Sequence, residues 1–125
     1  MPYQKTLTVA ALAVLVLGVG CTKSKEVSYE RDVYPILEDH CVKCHSPGGQ
    51  GYIKSGLDMK SYQGLMKGTK FGPVVTAGSS INSTLIRLID HKANPEINMP
   101  HDQSKMPQDH IETVRAWIDA GAKNN

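Results

Sequence analysis

The chain has 125 residues, 40% of them hydrophobic and 21% charged, which is enough for one compact domain and too few for two comfortable ones. Its formal charge is only +2, and no run of Lys or Arg is long enough to line a groove for phosphates, which argues against nucleic acid as a partner.

The first 20 residues differ from the remainder. One positive charge, Lys5, precedes a charge-free apolar run over residues 7–20, the pattern of an export signal. A spanning helix needs about 20 apolar residues. The whole uncharged interval, residues 6–22, is shorter than that, so a cleaved signal is favoured over a permanent anchor. The signal ends in "VLGVGC", which resembles the lipobox of bacterial lipoproteins, although Gly18 stands where an aliphatic residue is usual and Leu17 comes one place early. Gly18 and Gly20 also suit an ordinary small-x-small cleavage site. If Cys41 and Cys44 act together, Cys21 is left as an odd thiol in an oxidising compartment, and acylation would give it a purpose. The expectation is a lipidated Cys21 that holds the protein at a membrane, each buried methylene adding about 0.8 kcal/mol. Residues 21–27 then form a polar tether and residues 28–125 the domain.

Ser28 is a plausible cap for a helix through "YERDVYPILEDH", with Val33, Ile36, Leu37 and His40 at helical spacing and Pro35 signalling a kink or a late start. A Gly-punctuated stretch follows to Thr76, read mainly as loop, with Leu57, Tyr62, Leu65 and Met66 forming a short amphipathic turn. It contains no G-x-x-x-x-G-K-[ST], so a phosphate-binding loop is not indicated. Ser79, Ser80 or Ser83 can cap a helix with Ile81, Leu85, Leu88 and Ile89 on one face. A loop stiffened by Pro95 and Pro100 leads to the last helix, where Pro107 sits in the first turn, Ile111, Val114 and Ile118 form a stripe, and Gly121 supplies a stop. The expected fold is all-α, three to five helices with long loops. With one Trp and one Phe the core is thin, so something else is expected to fill the middle.

The segment "CVKCH" concentrates the chemistry. Cys41, Cys44 and His45 can face one way on a helical turn, as two porphyrin vinyl groups and an iron require, and C-x-x-C-H is the attachment signature of c-type haem. Attachment after export agrees with the signal. A thioredoxin-like dithiol wants an α/β setting that is missing, a zinc site lacks a second ligand pair, and a Cys41–Cys44 disulfide would close too short a loop to stabilise much. The sixth iron ligand could come from Met59, Met66, Met99, Met106, His91, His101 or His110. Met99 is preferred, in a loop before the last helix with Pro100 fixing its backbone, and Met106 comes second.

The segments "DVYPILEDHCVKCH", "GSSINSTLIRLI", "NMPHDQSKM" and "IETVRAWIDAGA" resemble class I-like monohaem cytochromes c, and look most like the planctomycete-type cytochrome c domain. That resemblance implies one covalently bound haem c, with Cys41 and Cys44 as attachment points and His45 and Met99 as axial iron ligands. It aligns Met106 with an apolar position. His101 departs from the family's M-P-P motif and stands two residues from Met99. The functional expectation is an exported, membrane-tethered carrier that passes single electrons between redox proteins, with no catalysis by the polypeptide because a closed Met/His site resists substrate. A local rim of Lys43, Lys54 and Lys60 could dock a partner. The rival is a haem-based enzyme or ligand sensor with a labile sixth site.

Overall fold

The computed structural model describes residues 25–125. The expected signal segment, its expected cleavage point and Cys21, the expected lipidation site, lie outside the described residues. Among the described residues there are five helices and no strand, in the small all-α arrangement expected, and no helix is long and apolar enough to cross a membrane.

The first helix, α1 (29–42), consists of three segments that run on without a break: Tyr29–Val33, Tyr34–Leu37 and Glu38–Val42, the first and last wound as π-helix. It begins at the Ser28 cap, whose hydroxyl accepts from the Arg31 amide, so Pro35 does not delay the start. The amides of Val33 and Tyr34 bond five residues back, to Ser28 and Tyr29, and this widened turn comes immediately before the residue that has no amide to donate. Asn125 closes the domain on the same helix end: its backbone oxygen accepts from the Ser28 hydroxyl at 2.6 Å and from the Glu30 amide at 3.1 Å.

Four further helices complete the fold: α2 (Gln50–Ser55), α3 (Tyr62–Lys67, capped by the Ser61 hydroxyl), α4 (Thr84–Ile89) and α5 (Gln108–Asp119). α5 packs on the first segment of α1 and on α4. Its stripe of Ile111, Val114, Trp117 and Ile118 is fully buried, as the spacing predicts for three of the four. Tyr29 meets Trp117 at 5.4 Å and the edge of Tyr62 at 5.2 Å, so aromatic rings join α1, α3 and α5.

Two expectations are corrected. α2 forms within the stretch read as loop. Ile81, placed on the apolar face of α4, precedes that helix and is 83% exposed. Its neighbour Ser80 is the buried one, held by the Asp119 carboxylate at 2.7 Å to the amide and 2.9 Å to the hydroxyl.

Candidate functional site

α1 delivers Cys41, 8% exposed, at its C-terminal end, and the chain then turns with the Cys44 and His45 amides both bonded to the Cys41 carbonyl. The carbonyls of Cys44 and His45 anchor the downstream chain: Cys44 O accepts from Tyr52 of α2 and His45 O from the Met59 amide at 2.7 Å. Gly49 is required at the bend, because a Cβ there would lie 2.4 Å from the Cys44 oxygen.

These residues border a cavity of about 450 Å³ between the end of α1, α2, α4 and the 96–103 loop, within the size range of cofactor sites. Its walls carry Leu57, Val74, Leu85, Leu88 and Ile89, and its chemical groups are Cys41, Cys44, His45, Met59, Met99 and His101, with His40 at one side. Cys41, Cys44, His45 and Met99 are thus brought to one cavity. Burial and the neighbouring Cys44 push the Cys41 thiol up to about 12, the reverse of what a reactive dithiol needs. Burial also lowers the pKa of His45, against a smaller opposing effect of the Leu57 backbone, so its ring is the neutral imidazole that a metal requires. His45 Nδ1 is buried with no partner in hydrogen-bonding geometry. Two unlinked thiols, a neutral imidazole and a largely apolar chamber suit a c-type haem. Among the described residues no three His, Cys, Asp or Glu side chains converge as a metal cage.

The other candidates separate by position. Met106, 4% exposed, packs in the core, and Met66 packs against it; neither borders the cavity. His110 lies 3.2 Å from His40 across α1 and α5. His91 Nε2 stands 3.1 Å from the Met99 carbonyl, and the Met99 amide bonds to Leu88 O, so His91 and the end of α4 hold the backbone of Met99. That supporting role has no signal in the sequence. Met59 is on the wall but 1% exposed, whereas Met99 is half-buried. The Met99–Pro100 peptide is cis.

A family model described as planctomycete cytochrome C matches residues 41–103. The chain belongs to this family. As a cytochrome c-type domain it is a haem-binding electron-transfer protein, and domains of this kind are typically exported and work with redox partners. Hydrazine synthase subunit alpha of Kuenenia stuttgartiensis is 24% identical over 133 residues, covering 85% of this chain and 16% of that protein. The solved structure of Kuenenia stuttgartiensis hydrazine synthase matches with a TM-score of 0.54 at 20% identity, over 77% of this chain and 16% of that one, and shares the fold. The chain therefore spans a small part of the relatives it matches.

The expectation that the polypeptide takes no part in catalysis is overturned by this match to an enzyme subunit. Its premise was a sealed sixth-ligand side. In the structure Met99, the expected sixth ligand, is half-buried and lines the cavity together with Ile97, 53% exposed, and His101, whose side chain is 53% exposed.

Proposed function

We propose that this family member is a monohaem c-type cytochrome that carries single electrons at a membrane surface in the service of a redox enzyme. The observation that carries the reading is the meeting of Cys41, Cys44, His45 and Met99 on one largely apolar cavity. Cys41 and Cys44 would hold haem c through thioether bonds, His45 would be its proximal ligand and Met99 the distal one. When bound, the group supplies a one-electron Fe(II)/Fe(III) couple. The chain's own part is to exclude water with Leu57, Val74, Leu85 and Ile89, to present a neutral imidazole, and to fix the Met99 backbone through Leu88 and His91. Residues 1–20 would direct export and a lipid on Cys21 would tether the domain through residues 21–27.

Expression alongside a haem-attachment system tests the assignment. The pyridine haemochrome spectrum should be that of two thioethers in the wild type and of one in Cys41→Ser or Cys44→Ser, and acidified acetone should leave the wild-type pigment on the chain. A colourless protein, or pigment that extracts freely, refutes it.

A second reading is favoured by the kinship with an enzyme subunit and the exposed His101 beside Met99: a labile sixth position at which the domain itself takes part in catalysis. A wild type that is already high spin and binds carbon monoxide readily would select that reading over the carrier.

A further inference from the structure

We infer that Gly51 is a positioning residue for His45, its missing side chain setting the plane in which the imidazole is held. The inference rests on the reading of His45 as the proximal iron ligand. Gly51 lies in the first turn of α2, and a Cβ built on it would stand 2.7 Å from Cε1, 2.8 Å from Nε2 and 2.9 Å from Nδ1 of His45. Nearly equal distances to three consecutive ring atoms place that position over the face of the ring and not at its edge. The Gly51 backbone is therefore stacked on the imidazole. Contact on the face leaves the lone pair of Nε2, which lies in the ring plane, free to meet a metal. It also opposes rotation of the ring out of that plane.

The arrangement is tied at both ends. The Tyr52 amide, next to Gly51, bonds to the Cys44 carbonyl at 2.9 Å, and the carbonyl of His45 itself accepts from Met59. α2 is thereby clamped to the C-x-x-C-H turn at the point where Gly51 crosses the ring. The Leu57 backbone interacts with the His45 ring, outside strict hydrogen-bonding geometry at Nδ1, so packing by Gly51 on the ring face adds to a weak polar contact in fixing the orientation of a ligating histidine. Any larger residue would push the ring that would ligate iron, and an ordinary carbon contact of about 3.5 Å needs a retreat of several tenths of an ångström.

The test uses the haem-loaded full chain. In the oxidised wild type, nuclear magnetic resonance should show the Gly51 α-protons shifted by the iron and in close contact with the His45 ring protons. Gly51→Ala should retain haem while shifting the low-spin electron paramagnetic resonance g values, the haem-methyl pattern and the midpoint potential. Gly64→Ala is the control: its Cβ would meet the Asp58 carbonyl at 2.4 Å, and neither residue borders the cavity or touches the His45 ring face, so it should lower stability and leave these signatures unchanged. A wild type with His45 on the iron but no Gly51 contact, or Gly51→Ala with unaltered g values and methyl shifts, overturns the inference. A wild type in which His45 is not an iron ligand overturns the functional reading instead.

Discussion

Replacing Met59, Met99 and Met106 one at a time separates ligation from packing, because Met99, the proposed ligand, is half-buried while the other two are fully buried. Met59 is 1% exposed and Met106 4% exposed, so truncating either to Ala removes a buried side chain and leaves a void, at a cost of about 2–5 kcal/mol. Met99 is half-buried, and losing part of its apolar contact costs on the order of 1 kcal/mol in the protein without haem. In the haem-loaded protein the ranking reverses for the spectrum. Met99→Ala should lose the far-red band of a Met–ferric iron bond and turn high spin, and its potential should fall because a thioether opposite His raises it. Met59→Ala and Met106→Ala should keep the band and unfold at lower urea. Urea titration of the apoprotein with optical spectra of the loaded form provides both readings. The assignment is refuted if Met59→Ala abolishes the band while Met99→Ala retains it, or if the wild type is low spin without the band and His101→Ala turns it high spin.

Three other outcomes are expected from contacts away from the cavity. The Tyr29 hydroxyl is buried without a partner and burial raises its pKa to about 12, so folding keeps a phenol protonated that the unfolded chain ionises near 10. Stability should be fully present below pH 10 and decline as pH rises towards 12, and Tyr29→Phe should remove that decline while changing stability at pH 7 by less than about 1 kcal/mol, since no hydrogen bond is lost. Ser83, 1% exposed, accepts from the Thr76 amide at 2.8 Å and donates to Ser79 O at 2.9 Å; Ser83→Ala should cost about 1–3 kcal/mol in urea unfolding by leaving that amide unpaired. Asp90 pairs with Lys105 and Arg115, and the Lys105 hydrogen bond leads the effects that hold its carboxyl below the usual range. Its contribution is therefore present above the ordinary carboxylate pKa and lost as pH falls through the lowered one. Asp90→Asn should cost no more than about 1 kcal/mol at neutral pH, and less in high salt.

The helices that were legible in the sequence are those whose signals are local. α5 has a stripe, an entry proline and an exit glycine, and α1 has a serine cap; each is a property of a few neighbouring residues. α2 has no stripe, no entry proline and no serine cap, and its exit glycine, Gly56, stands among several other glycines. It buries no residue, is flanked by glycines, and forms where its backbone amides find Cys44 O and Gly49 O, partners fixed by the turn before it. Ile81 was misplaced for the opposite reason. Helical spacing runs back past Ser83, but the bond from Ser80 to Asp119, 39 residues away, buries the serine and turns the isoleucine to solvent.

The same division explains the site. C-x-x-C-H is a local pattern and could be read directly, and Met99 was marked by Pro100 and by its place before α5. The sequence order does not reveal that Met59 reaches the same wall or that His91 braces the Met99 carbonyl, since both depend on how α4 meets the 96–103 loop. The judgement on catalysis failed at this level. Whether an iron site relays electrons or admits a substrate depends on how tightly its sixth side is sealed, and sealing is a property of packing. Here the proposed sixth side has a half-buried methionine between an exposed isoleucine and an exposed histidine, while the proposed proximal side has a buried cysteine, a clamped turn and a stacked glycine. A cavity firm on one side and open on the other can hold its cofactor in place and still alter its sixth ligand, and a haem domain needs that asymmetry to serve in an enzyme as well as in a carrier.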